Sequence, residues 1–507
     1  MNLPTSSNSS TPDKQPNIVL LMPDQLRWDY LGCYGADFAG TPHIDALARS
    51  GLVFERALSP SPICIPARAS LLTGHNAGST GVLTNNYWLR PDHEACGMPS
   101  MATLLSQAGY HTEAIGKMHF IPWDLAEGFS HRVIAEDKRH IHIQDDYADY
   151  LAQHGLRKLA GPEEPGYRTH KMASYGFPLE HQVDAWIGAR SVDFLQNYSQ
   201  DNPFFLWVAF AGPHDPYNPP QELAAALDGL AVPPAIPATA DSAQFRPGLI
   251  KSHLGGSAQV DLRDFPATAK ARMRRHYTAL NRIIDHQVGA ILQALQGLDN
   301  DRDTLILFTS DHGDFLGDFD LVGKALFYEP AIHIPLIMAG AGVTPGRSHA
   351  LTSLTDLFAT ITQAAGLNPV TQDSVALPGL GTSPDQPTRN SVFGLTGAGA
   401  MLSTHAWKLA RYRNGLATLH HLLDDPQEQH NRYTDPAFAD IRAALEQQLM
   451  TCLLGSLADG HADKAYPYMT MTPDHPGHAR GWQRPYPAAS WSEQEQAEVW
   501  AKAGMPL

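Results

Sequence analysis

Four short runs, three of them almost wholly apolar, constrain this chain more than any other feature. They are residues 17–22 (NIVLLM), 111–115 (HTEAI), 204–210 (FFLWVAF) and 304–308 (TLILF), with helical stretches between them. Runs of this length without strict alternation belong to strands covered on both faces, as in a parallel sheet. Strands of this kind alternating with helices predict an α/β fold: a large, mostly parallel sheet flanked by helices. Residues 274–298 carry the spacing of a long amphipathic helix leading into the TLILF strand.

The character changes near residue 386. SVFGLTG, AMLSTHAWKLARYR and LHHLLDD alternate like antiparallel strands joined by turns, and 437–454 reads as a helix. The predicted organisation is a flexible leader (1–16), a catalytic α/β domain (17–385), a smaller C-terminal α+β subdomain with an antiparallel sheet (386–460) and a tail (461–507). The tail is rich in Pro, Tyr and Trp, with Trp482, Trp491 and Trp500 as packing anchors. It is expected to wrap a surface, its own or a neighbour's, so a homo-oligomer is anticipated. Segments 123–180 and 215–265 are expected to shape specificity.

Charge excludes some partners. The formal net charge of −16 argues against nucleic acid, which needs a basic face. It does not forbid a small anionic substrate, because a site's local field can oppose the global one. The four cysteines, Cys33, Cys64, Cys96 and Cys452, form no CxxC pair, so neither a zinc site nor a disulfide framework is indicated. The N-terminus lacks an apolar signal segment, and no apolar run approaches the roughly 18 residues of a membrane span. A cytoplasmic protein without a membrane partner is expected.

In open α/β sheets, ligands bind beyond the carboxyl ends of the strands. Here each of four strands ends in polar residues of catalytic type: Asp24 and Gln25, Lys117 and His119, His214, and Asp311 and His312. One such residue could be a helix cap or a satisfied core histidine; four sets converging on one pocket are hard to obtain from structural needs alone. A fifth element is SPSPICIPARASLLTG. Pro66 favours a helix start at 66 or 67, and Gly74 a stop. Cys64 would then lie at a helix N-terminus, where backbone N–H groups and the dipole favour negative charge, with Arg68 one turn on. Taken alone, Cys64 could be a small buried apolar residue.

The Cys-x-Pro-x-Arg core, embedded as CIPARASLLTG, resembles the signature of the type I, formylglycine-dependent sulfatase family of the alkaline phosphatase superfamily. PNIVLLMPDQ is similar to that family's opening strand and first metal ligands, GKMHF to its Gly-Lys-x-His segment, and SDHGDFLGD to its second ligand segment, with Lys324 following in LVGK. HHLLDDPQEQHNRY resembles its C-terminal turn. The likeness spans about residues 16–435. Many members carry Asp-Asp at the first ligand site and Asp-Asn at the second. The Asp24-Gln25 and Asp311-His312 pairs resemble instead the choline sulfatases and the phosphonate monoester hydrolases.

The resemblance implies an alkaline-phosphatase-like fold and oxidation of Cys64 to Cα-formylglycine by a formylglycine-generating enzyme. It implies a single divalent cation held by Asp24, Gln25, Asp311 and His312. Oxygen ligands suit Ca²⁺, Mg²⁺ or Mn²⁺, and the imidazole tilts the choice toward Mn²⁺ or another transition metal. The formylglycine hydrate would attack a sulfate ester, with His214 as general acid assisted by Lys324 and His119 as base. Arg68 would orient the diol, Lys117 would neutralise the transferred group, and Asn85 would bind a substrate oxygen. Hydrolysis of a phosphonate monoester or phosphodiester would use the same residues. A non-catalytic binding protein on this scaffold would require Cys64 to stay a thiol.

Overall fold

The computed structural model describes residues 14–460, apart from 95, 256–257, 299–301, 341, 369–370 and 372. Most of the leader and the whole aromatic tail, with Trp482, Trp491 and Trp500, lie outside the described residues. Contacts divide the chain into a first unit, Met1–Leu453, and a second, Leu454–Leu507. The first unit carries both sheets.

All four runs are strands, and they lie side by side. β1 (Asn17–Asp24), β3 (His111–Gly116), β5 (Phe204–Pro213) and β6 (Thr304–Thr309) stand in the order β3-β5-β1-β6, every pairing parallel. β4 (His131–Ile134) extends this block on one side, parallel to β3. On the other side β8 (Leu336–Gly340) pairs antiparallel to β6. β2 (Leu52–Leu58) follows, antiparallel to β8 and to β7 (His333–Ile334) and parallel to β9 (Gly346–Ser353). The result is a nine-stranded, mostly parallel sheet.

The apolar runs are continuous because both faces are covered. On β1, Val19 and Leu21 join one core with Trp186 and Ile187 of helix Val183–Asn197 and Tyr277, Leu280 and Ile284 of helix Ala267–Gln296. Ile18, Leu20 and Met22 join the other, with Leu71 and Leu72 of helix Cys64–Thr73 and Leu357, Phe358 and Ile361 of helix Asp356–Ala364. Period-two alternation thus sorts apolar side chains between two apolar faces, not between core and water.

A second, four-stranded antiparallel sheet runs in the order β10 (Val392–Thr396), β11 (Gly399–Ser403), β12 (Trp407–Tyr412) and β13 (Ala417–His421). Leu402, Leu409 and Leu419 on one of its faces pack with Leu445 and Leu449 of the last helix, Ala439–Asp459. That helix begins two residues later and runs five further than the sequence spacing indicates. The long helix likewise begins at Ala267, well before 274, because its first turns are polar and carry little apolar periodicity. Among the described residues, segment 215–265 contains only short helices, Gln221–Ala225, the 3-10 turn Ser242–Gln244 and Arg246–Leu254, between irregular stretches. No described helix is long and apolar enough to cross a membrane.

Candidate active site

The carboxyl ends of β1, β3, β5 and β6 meet the N-terminus of helix Cys64–Thr73. That helix starts two residues earlier than Pro66 alone would indicate, so Cys64 occupies its first turn and Pro66 its third position, where a missing N–H costs nothing. Gly74 ends it at φ 72°, in the left-handed region that glycine adopts freely. Every residue of the helix is buried. Asn85 Oδ1 accepts from the Ile65 amide at 3.0 Å, so this side chain caps the helix that carries Cys64.

Three potential ligands surround the Cys64 thiol: Asp24, Asp311 and His312 are buried with it, and the four residues offer atoms within 4.8 Å of one another. His312 Nε2 lies 3.3 Å from Cys64 Sγ and Asp24 Oδ1 lies 3.8 Å from it. His312 Nδ1 is 2.9 Å from the Gly313 carbonyl, to which it donates, and this bond turns Nε2 toward the cluster, where the neutral ring would offer a lone pair to an ion. Gln25 belongs to the same place. Its amide nitrogen donates to Asp314 and its Oε1 accepts from Lys324.

Two cations offset the charge of the carboxylates. Arg68 donates to Asp24 Oδ2 at 2.8 Å, to Asp311 Oδ2 at 3.1 Å and to the Lys117 carbonyl. Its guanidinium therefore bridges the two acids instead of pointing only at residue 64. Lys117 Nζ lies 2.8 Å from Asp24 Oδ2 and 4.0 Å from Cys64 Sγ. Lys324 Nζ reaches Cys64 Sγ at 3.1 Å. Burial opposes the thiolate, but Lys117, Lys324 and His312 together hold the Cys64 thiol well below its usual range. Burial also opposes ionisation of Asp24, and Lys117, His214 and Arg68 override it. Asp311 is pushed up by burial and by the charge of Asp24. A divalent cation between these two acids would offset that repulsion, and the oxygen-plus-imidazole donor set fits one.

The two remaining histidines stand at the rim of this cluster. His214 Nδ1 contacts the Asp215 carbonyl at 2.6 Å, and its buried Nε2 lies 4.0 Å from Asp24 Oδ1. His119, through its side chain, is among the groups that lower the Cys64 thiol. It sits at φ 61°, beyond the end of β3, and its backbone N–H is fixed by Glu136 at 3.0 Å. Lys117 and His119 therefore share a direction through a left-handed turn, not through an extended strand. Gly116, at φ 105°, begins that turn; a Cβ there would come within 2.0 Å of the Ala209 carbonyl.

Two carboxylates escaped the sequence reading. Asp137 Oδ2 receives Lys117 Nζ at 2.8 Å and lies 3.9 Å from His214 Nε2, while Arg139 grips the same carboxylate. Burial is outweighed by Arg139, Lys117 and His214, which hold Asp137 well below the usual carboxylate range. The second is Asp314, three residues after Asp311, whose position within SDHGD was the available signal. Asp137 follows the short strand β4 and carried no such signal.

A family model described as Sulfatase matches residues 16–367. The arylsulfatase of Clostridium perfringens is 31% identical over 346 residues, covering 65% of this chain and 69% of that protein. The choline-sulfatase of Rhizobium meliloti is 31% identical over 377 residues, covering 70% of this chain and 68% of that protein. Among solved structures, the phosphonate monoester hydrolase of Agrobacterium radiobacter superimposes with a TM-score of 0.75 at 23% identity, over 87% of this chain and 96% of that one.

Proposed function

The chain belongs to the sulfatase family, and from that premise we propose that it hydrolyses a sulfate ester with an oxygen nucleophile made at position 64. One observation carries the reading. Cys64 heads a buried helix, and two carboxylates, an imidazole and three cationic side chains close around its side chain.

In this reading a formylglycine-generating enzyme oxidises Cys64 to Cα-formylglycine, whose hydrate carries two hydroxyls on one carbon. One hydroxyl attacks sulfur, its proton passing to a neighbouring carboxylate of the cluster, as the S–O bond to the leaving alcohol breaks, leaving a sulfate ester on residue 64. His214 donates the proton that the departing alkoxide takes up, assisted by Lys324. His119 removes the proton of the second hydroxyl; the C=O bond re-forms, the C–O bond to sulfate breaks, and sulfate leaves. Water then restores the hydrate. Arg68 holds the acids in place, and Lys117 offsets the charge of the transferred group. Asp24, Gln25, Asp311 and His312 would hold one divalent cation, Ca²⁺, Mn²⁺ or Mg²⁺. When bound, it supplies Lewis-acid polarisation and a template for the reacting oxygens.

The Gln25 and His312 variants are equally compatible with a second reading, hydrolysis of a phosphonate monoester or phosphodiester by the same residues, and a solved phosphonate monoester hydrolase shares the fold. Kinetics on an aryl sulfate beside an aryl phosphonate monoester separate the two. The sulfatase reading predicts the larger kcat/KM on the sulfate; a large preference for the phosphonate overturns it.

The acid role of His214 has its own signature. His214→Ala should cost about 10²–10⁴-fold on an alkyl sulfate, whose alkoxide needs a proton, and far less on an activated aryl sulfate. Equal losses on both would remove His214 from that role.

A further inference from the structure

We propose that Asp314 is a positioning residue that decides which end of the Gln25 amide faces the cation. The inference rests on the proposed ion site and extends it to a residue outside the ligand set.

The two ends of a glutamine amide are nearly equal in size but opposite in polarity. An oxygen facing a cation binds it; an NH₂ group repels it. Something must therefore fix the rotation about the last side-chain bond. In this site two partners do so, and they agree. Asp314 is an acceptor and takes the Gln25 Nε2 donor. Lys324 has only donors and meets Oε1. The orientation follows from the chemistry of the neighbours.

Asp314 is suited to this because it is itself immobile. It is fully buried, and four donors saturate its carboxylate. Oδ2 accepts from Gln25 Nε2 and from Tyr217 OH at 2.7 Å. Oδ1 accepts from the Leu316 amide at 3.0 Å and the Gly323 amide at 3.1 Å. The last bond anchors the residue next to Lys324, so one carboxylate orients Gln25 and tethers the segment whose lysine reaches Cys64 Sγ at 3.1 Å. The Gln25 backbone is fixed as well. Its φ is 70°, its N–H donates to Asp311 Oδ1 at 2.9 Å, and its carbonyl accepts from Tyr277 OH at 2.7 Å. With the main chain held and the side chain buried, Asp314 and Lys324 between them fix the amide rotation.

The test is a double-mutant cycle read in ion affinity. The matured full-length protein is titrated with MnCl₂ by calorimetry as wild type, Gln25→Ala, Asp314→Asn and the double variant. Asp314→Asn should weaken Mn²⁺ binding about 10–100-fold, since an amide at 314 can offer either end to Gln25. In the Gln25→Ala background the same change should cost nothing further. Gln25→Glu combined with Asp314→Asn should regain most of the affinity, because either oxygen of a carboxylate can face the ion while the new amide donates to the other. Wild-type affinity in Asp314→Asn, or an equal loss with and without Gln25, overturns the proposal. If Asp314→Asn does not fold, Gln25→Glu alone decides. Set against Asp314, the added carboxylate should not tighten binding, and a tenfold gain overturns the proposal. A wild-type protein that binds no Mn²⁺, Ca²⁺ or Mg²⁺ would instead refute the ion site itself.

Discussion

Cys64→Ala should leave a folded protein whose turnover is lost by a factor on the order of 10⁶, the scale seen when a covalent nucleophile is deleted. The fold should survive. The change removes one sulfur from a helix whose packing comes from Ile65, Leu71 and Leu72, and alanine is the best helix former. A second substitution separates the chemistry from mere occupancy. Cys64→Ser keeps an oxygen at the head of the helix but only one hydroxyl. It can be sulfated, yet no second hydroxyl on that carbon can expel the sulfate. The expected outcome is a single, stoichiometric turnover, seen by intact mass as one added sulfo group that persists. Steady turnover by Cys64→Ser would show that the geminal diol is not needed.

Asp311→Ala should abolish ion binding and nearly all activity. Losing several kcal/mol of charge stabilisation in the transition state corresponds to about 10³-fold or more in rate. Asp311 has three tasks: its Oδ1 receives the Gln25 amide at 2.9 Å, its Oδ2 receives Arg68 at 3.1 Å, and it stands in the ligand cluster. Some loss of stability is therefore expected, since Arg68 is fully buried and would keep, among the described residues, Asp24 alone as an ion-pair partner. Chelation separates the roles. EDTA treatment of the wild-type protein should remove activity with the fold intact, and added Mn²⁺, Ca²⁺ or Mg²⁺ should restore it. Full activity after exhaustive chelation, confirmed by metal analysis, would refute the ion's role.

How much of this could be read from sequence depended on how local each signal was. β1, β3, β5 and β6 declared themselves as apolar runs, and their polar ends followed because a parallel sheet delivers successive strand ends to one edge. The order β3-β5-β1-β6 makes those ends neighbours, which no run by itself reveals. Cys64 was legible because Pro66 and Gly74 bracket a helix, although the helix begins at Cys64 and not at 66. Asn85 was visible as a polar residue near the cysteine, but its bond to the Ile65 amide depends on how the chain folds back. Asp137 was hidden for a related reason. It follows β4, four residues of half-buried edge strand with little apolar signature, and meets Lys117 only across the sheet. The bridge that Arg68 makes between Asp24 and Asp311 joins positions 44 and 243 residues away in sequence, so no spacing rule could expose it.

The central claim is that an aldehyde at position 64, hydrated, is the attacking group. It is tested most directly by measuring, in preparations with and without the maturing enzyme, the mass of the peptide spanning residues 57–68 alongside the rate per mole of protein. The account predicts that the side chain changes from CH₂SH to CHO, losing sulfur and two hydrogens and gaining oxygen. The rate should rise in proportion to the converted fraction and extrapolate to zero at zero conversion. A preparation whose peptide is wholly thiol yet turns over sulfate ester at the full rate would contradict it.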